Sequence, residues 1–317
     1  MAILAPSFVR MAFRGRFAAV VFVWSSTLTA QAIPQPQNPS PMVETTRAHE
    51  RLSPVDLPGS TRSFPGPWGG TVHLFIPPGA GARPLDLLVH FHGPAWLVAQ
   101  ATAGICSPPV AVTVNVGAGS GRYEQAFSDP AAFDSLLTRT LAELGEGARA
   151  ARSINLSAFS AGHGAVRAIL RDPGHFSRIM RVLLLDGMHT SYEPEGVVLA
   201  AGGSLDATRL GALASFARGS VSSDKRMLIT HSEIFPGTFA STTETADWLL
   251  GELGLTREAV LKWGPRGMQQ LSEVRAGRFA LLGFAGNTGV DHTDHLHALP
   301  ELLSSLFEGK HCPGSPG

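Results

Sequence analysis

The sequence is short of lysine, of charge and of long apolar runs. Lys225, Lys262 and Lys310 are the only lysines among 25 Lys and Arg, so arginine carries most of the positive charge. Charged residues make up 16% of the 317 positions, against roughly 25% in an average soluble chain. The 25 basic residues balance 25 acidic ones, so there is no electrostatic case for binding nucleic acid or an anionic membrane surface. The 35 Gly and 23 Pro follow no G-X-Y period, which excludes a collagen-like chain. No internal repeat is visible. What is present is a 44% apolar content with 17 Phe and 5 Trp, which excludes a mainly disordered chain and supplies a sizeable core.

The N-terminus has the form of an export signal. Arg10, Arg14 and Arg16 precede an apolar run from Phe17 to Trp24, and small residues follow to Ala30-Gln31-Ala32. From Phe17 to Ala30, the run with its small residues covers 14 positions, short of the roughly 18–20 a membrane span needs. A secretory signal peptide over residues 1–32, cut after Ala32, is the expectation, and no Cys follows to carry a lipid. The protein is therefore expected to be secreted or periplasmic, with no membrane span once the signal is removed. Residues 33–60 begin Ile33-Pro-Gln-Pro and read as a proline-rich tail or linker; residues 61–317 read as one domain. In an oxidising compartment Cys106 and Cys312 are a possible disulfide.

From residue 70 onward strands alternate with helices. Thr71 to Ile76, Leu85 to Phe91 and Val110 to Val116 read as strands, each stopped by Gly or Pro. Asp129 and Pro130 open a helix that ends at Gly145. The short strand Ser153 to Ser157 is followed by a helix from Ala161 to Arg171. Met180 to Leu185 and Arg226 to Thr230 read as buried strands, with helix from Leu205 to Arg218 between them. Ser241-Thr-Thr-Glu244 is a capping box that opens a helix toward Leu253. Arg278 to Phe284 is the last strand, before a last helix through Leu302 and Leu306. Near-continuous apolar strands between helices predict an α/β fold: a mostly parallel central sheet with helices on both faces, in three αβα layers.

In such sheets ligands bind beyond the carboxyl ends of the strands. Ala158-Phe159-Ser160-Ala161-Gly162 stands between a strand and a helix, with small residues two before and two after the serine. That is the pattern of a nucleophile elbow, which presents the hydroxyl at a helix N-terminus; an ordinary helix cap is the alternative. His90-Phe91-His92-Gly93 closes an upstream strand and predicts an oxyanion loop whose donor is the amide of Gly93, Ala95 or Trp96, since Pro94 has none. The second donor is the amide of Ala161. A base is expected late in the chain, in Asp291-His292-Thr293-Asp294-His295-Leu296-His297. His292 is preferred, as the residue lying in a loop, with His295 on the first helical turn as the alternative. The same stretch has ligand chemistry suited to zinc, but that reading leaves Ser160 unexplained. For the orienting acid, Asp186 ends one strand and Glu233 follows the next; Asp186 is preferred, with Glu233 as its competitor.

The order His-Gly loop, serine elbow, acid and histidine resembles the α/β-hydrolase superfamily over residues 70–308. The resemblance implies Ser160 as nucleophile, Asp186 or Glu233 as acid, and His292 or His295 as base. Gly93 and Ala161 would mark the oxyanion hole. Two departures stand out: Ala158 replaces the first elbow glycine, and the acid would ordinarily follow the penultimate strand, where Glu233 lies. The implied activity is a serine hydrolase, most simply an esterase or lipase acting on an acyl ester by two-step acyl transfer, with no metal or organic cofactor. A peptidase or amidase, a non-catalytic binding protein on the same fold, and a metal-dependent hydrolase built on 291–297 are the other readings. The long Gly-rich segment from His189 to Ser223 is a candidate lid or pocket wall.

Overall fold

The computed structural model describes residues 48–80, 85–145 and 151–307. The signal sequence, the tail up to residue 47 and Cys312 fall outside the described residues, and with Cys312 so does the expected pairing with Cys106. In chain order come β1 (Ser60–Pro65), β2 (Thr71–Ile76), β3 (Leu85–Phe91), α1 (Ala95–Ala103), β4 (Val110–Val114), α2 (Ser120–Ala126) and α3 (Pro130–Leu144). Next are β5 (Ala151–Phe159), α4 (His163–Leu170), α5 (Pro173–Arg178), β6 (Ile179–Leu185), β7 (Tyr192–Glu193), β8 (Ser204–Leu205), α6 (Gly211–Ser222) and β9 (Arg226–His231). The chain continues through α7 (Thr242–Leu253), β10 (Glu258–Trp263), β11 (Gln269–Ala276), β12 (Phe279–Phe284), α8 (Gly289–His297) and α9 (Leu299–Leu306).

Ten strands form one sheet in the order β1-β2-β4-β3-β5-β6-β9-β12-β11-β10. From β4 to β12 every pairing is parallel; the outer two strands on each side are joined by antiparallel pairings. Alternate side chains of a strand leave opposite faces, so each central strand feeds two cores. In β6, Val182 and Leu184 enter one core and Leu183 and Leu185 the other. The first core is roofed by Tyr123 of α2, Phe133 and Leu136 of α3, Val166 and Ile169 of α4, Phe216 of α6 and Leu249 of α7. The second is roofed by Leu97 and Val98 of α1, Leu296 of α8, and Leu299, Leu302 and Leu306 of α9. Each such side chain contributes about 1.5–3 kcal/mol by leaving water. The result is a three-layer αβα sandwich around a mostly parallel sheet.

Several boundaries differ from expectation. The short strand at 153–157 runs from Ala151 to Phe159, because it lies mid-sheet and is paired on both sides. The helix expected at 205–218 begins only at Gly211, since Ser204 and Leu205 pair with β7. The expected linker is attached from residue 48: Arg51 Nη2 donates to the Val290 carbonyl, Leu52 N donates to His297 Nδ1, and Leu52 and Leu57 pack on the second core. Among the described residues no helix is long and apolar enough to cross a membrane.

Candidate active site

Three adjacent parallel strands end in left-handed backbone. His92 follows β3 with φ 72°, Ser160 follows β5 with φ 48°, and Asp186 follows β6 with φ 41°. None is glycine, and each such conformation costs roughly 1–3 kcal/mol that its surroundings must offset. Two glycines show what holds the turn at Ser160. A Cβ at Gly162 would lie 2.2 Å from the Phe91 carbonyl oxygen, and one at Gly187 would lie 2.5 Å from the Ser160 carbonyl oxygen. The serine turn is thus wedged between the end of β3 and the residue after Asp186, with no room for a methyl group on either side. His163 donates its Nδ1–H to the Ser160 carbonyl at 2.8 Å and locks the turn from within. Burial drives the His163 pKa down to about 3, so this ring is neutral.

Asp186 is 2% exposed and accepts four hydrogen bonds. Its Oδ1 takes Ser232 N at 2.9 Å and Thr242 Oγ1 at 2.7 Å; its Oδ2 takes Ser232 Oγ at 2.7 Å and His292 Nδ1 at 2.7 Å. Burial alone would raise this carboxyl, but the charges of His295 and His292 and these donors outweigh it and hold it well below the usual carboxylate range. An ionised carboxylate can only accept, so His292 Nδ1 carries the proton, and in the neutral ring Nε2 carries the lone pair. The His292 ring lies 4.5 Å, centroid to centroid, from that of Phe159, the residue before the serine; the His92 ring is 6.0 Å from the same phenyl.

The structure separates the alternatives by position. Glu233 Oε2 accepts from the backbone N–H of Gly286 at 3.0 Å, a loop-closing bond. His295 is 1% exposed, with Nδ1 against Thr230 Oγ1 at 2.8 Å beneath the site. His292 lies in the first turn of α8, not in a loop, because Thr288 and Asp291 form a capping box that starts the helix before it. Ser160 Oγ makes no hydrogen bond among the described residues, to His292 or otherwise. The Gly93 N–H donates to Asn115 Oδ1 at 3.0 Å, and Ala95 and Trp96 line a second cavity of about 500 Å³. Ala161 lines the cavity that contains Ser160.

The side chains of 291–297 diverge as α8 turns. His292 goes to Asp186, His295 to Thr230, and His297 to the Leu52 amide, while Asp294 meets His49 Nδ1 at 2.6 Å and Arg51 at 3.0 Å. Ligand atoms of His49, Asp291 and Asp294 do come within 4.8 Å of one another. Arg51 supplies a cation there already, and Asp291 is engaged by Thr288. These residues fit a helix anchor better than a metal centre.

Beside Ser160 is a cavity of about 390 Å³. Its floor is Ser160, Ala161 and His163; the segment after β6 contributes His189, Thr190, Ser191 and Arg209, so the stretch expected as a lid or wall forms a wall. Reading the residues alone missed Gly187 as a contact of the elbow, Ser232 and Thr242 as the cradle of Asp186, and the arginines of this cavity. The available signals were the strand end at His231-Ser232 and an arginine inside the apolar helix Ala165-Val-Arg-Ala-Ile169.

No family model and no curated protein matches the chain. Among solved structures, one match comes from a structural analysis of two fungal esterases from Rhizomucor miehei that explains their substrate specificity. It is 12% identical, covers 80% of this chain and 86% of that one, and has a TM-score of 0.43.

Proposed function

We propose that the protein is a serine hydrolase that cleaves a carboxylic ester, with Ser160 as nucleophile, His292 as base and Asp186 as the acid that orients it. The observation that carries this reading is the 2.7 Å bond from His292 Nδ1 to a buried Asp186, at the sheet edge where β5 delivers Ser160 in left-handed backbone. Ser160 Oγ attacks the ester carbonyl while His292 Nε2 takes its proton. The imidazolium so formed is stabilised by Asp186. The amide of Ala161, the first after the nucleophile, donates to the oxyanion; removing one such donor costs about 3–4 kcal/mol in comparable sites. His292 then returns the proton to the leaving alkoxide, and water, deprotonated by the same ring, releases the acyl group from Ser160.

The bond between Ser160 Oγ and His292 is expected to form only with substrate in place, as catalytic hydrogen bonds in free enzymes are often long. Its absence here is also what favours the second reading, a non-catalytic binding protein on this fold. Hydrolysis of a short-chain 4-nitrophenyl ester separates them. Activity lost in Ser160→Ala and unaffected by a chelator supports the enzyme; no turnover by the wild type supports the binding protein. Activity that survives Ser160→Ala and dies with chelator overturns both. We also propose export, on the strength of residues 1–32. Isolation from the cell envelope or medium with Ile33 at the N-terminus supports it; a cytoplasmic protein that retains Met1 contradicts it.

A further inference from the structure

The cavity next to Ser160 has an excess of positive charge that Ser160, His292 and Asp186 do not require. Arg167 of α4, Arg171 just after it and Arg209 before α6 all converge on one carboxylate, Glu124 of α2, through contacts of 2.5 Å for Arg167, 2.6 Å for Arg171 and a further bond from Arg209. Burial would raise Glu124, but the three guanidinium groups hold it down at about 2, so it stays ionised. One negative charge then faces three positive ones. Besides Glu124, the charges that act most strongly on Arg167 are those of Arg209 and Arg171. Burial lowers the pKa of both histidines of the lining, His163 and His189, and so disfavours their charged forms.

The arginines differ in what they can offer a ligand. Arg167 is 1% exposed, gives Nη1 to the His189 carbonyl at 3.2 Å, and has a buried Nε with no hydrogen-bond partner among the described residues. It is a fixed source of positive field behind the wall. Arg209 is one-third exposed (34%) and reaches the cavity beside Ser191, whose hydroxyl lies 3.4 Å from its Nη1. The lining also includes Ser120, whose hydroxyl is a donor suited to an oxyanion. Phe239, 41% exposed, supplies an apolar surface at the same cavity.

We propose that this cavity is an anion subsite: the ester that Ser160 attacks carries a carboxylate, which Arg209 binds with Ser191, while Arg167 supplies field from behind. This rests on the serine-hydrolase reading and deepens it by naming the substrate class. The chemistry does not say which half of the ester carries the anion, so the test has two arms. One compares mono-(4-nitrophenyl) succinate with 4-nitrophenyl butyrate, which places the charge on the acyl side. The other compares the acetate esters of 4-hydroxybenzoate and 4-hydroxybenzamide, which places it on the leaving side.

In one arm the charged ester should exceed its neutral partner in kcat/KM by about 10- to 100-fold, the size of one to two charge-assisted hydrogen bonds. Arg209→Gln should bring that ratio to within about two-fold of one, and Arg209→Lys should retain a large part of it. A wild type that prefers both neutral esters, or a ratio unmoved by Arg209→Gln, overturns the subsite and leaves the esterase reading standing. Should the wild type cleave none of the four, the esterase reading fails and a binding measurement decides the subsite. Sodium succinate at matched ionic strength then raises the melting temperature of wild type and not of Arg209→Gln if the subsite exists; no shift in wild type overturns it.

Discussion

Asp186→Asn tests the role of the buried acid, because the structure dictates how the amide must turn. One oxygen of Asp186 faces the Ser232 N–H and the Thr242 hydroxyl; the other faces the Ser232 hydroxyl and His292 Nδ1. An asparagine keeps one acceptor and turns the other atom into a donor. A backbone N–H cannot reverse, so the acceptor must stay on Ser232 N. The NH₂ group then faces the Ser232 hydroxyl, which can rotate to accept, and His292, which can accept only by moving its proton from Nδ1 to Nε2. That leaves the nitrogen assigned to take the serine proton already protonated. The fold loses charge-assisted hydrogen bonds but keeps its partners, so stability should fall by about 1–3 kcal/mol. The rate should fall by about 10⁴-fold, about 5 kcal/mol in barrier. Ester hydrolysis gives the rate, urea unfolding the stability, and ¹⁵N chemical shifts of His292 the tautomer. A kcat within ten-fold of wild type would refute the assignment, as would a large rate loss with the Nδ1–H tautomer intact.

Other expectations follow from the same geometry. Glu233→Gln, which alters a bond to the Gly286 amide, should leave kcat within about three-fold, whereas His292→Gln should lower it by several orders of magnitude. Gly187→Ala forces a methyl onto the Ser160 carbonyl; it should cost about 1–3 kcal/mol of stability and a larger share of activity, measured by thermal unfolding and by the rate of the folded fraction. Stability should fall in acid from a definite point. Burial lowers His90 and His163 to about 3 and His231 to about 4. The unfolded chain therefore binds more protons below its histidine pKa of about 6.5, and stability is lost as pH drops from there, by up to about 3 kcal/mol per ring at pH 4 and about 5 kcal/mol for His90 and His163 near pH 3. The Asp186 carboxylate, shifted down, adds a further loss only below about pH 4. A urea midpoint that stays flat between pH 7 and pH 4 contradicts this.

How much of this was legible in the sequence depends on where the signal was local. Asp129-Pro130 and Ser241-Thr-Thr-Glu244 carry their helix starts in side chains that cap their own backbone, and both helices begin there. The β5 elbow was legible because a tight strand-to-helix turn excludes bulk, as the 2.2 Å approach at Gly162 illustrates. The hairpin β10–β11 was not: Glu258–Trp263 is largely exposed and Gln269–Ala276 is polar, so neither has the buried alternation that marks a strand. Helix α1, Ala-Trp-Leu-Val-Ala-Gln-Ala-Thr-Ala, has little polar face and was masked by the preceding Gly-Pro. The start of α8 was missed because its box closes with Asp291 in place of the usual Glu or Gln. The pairing of Asp186 with His292 spans 106 positions; no local pattern encodes it, and only the order of the strands brings it about.

The most direct test of the account is labelling with a fluorophosphonate followed by peptide mass analysis. The account predicts a single adduct on Ser160, absent in Ser160→Ala and slowed by orders of magnitude in His292→Ala while both variants remain folded. An unlabelled wild-type protein, or an adduct that forms as fast without His292, would contradict it.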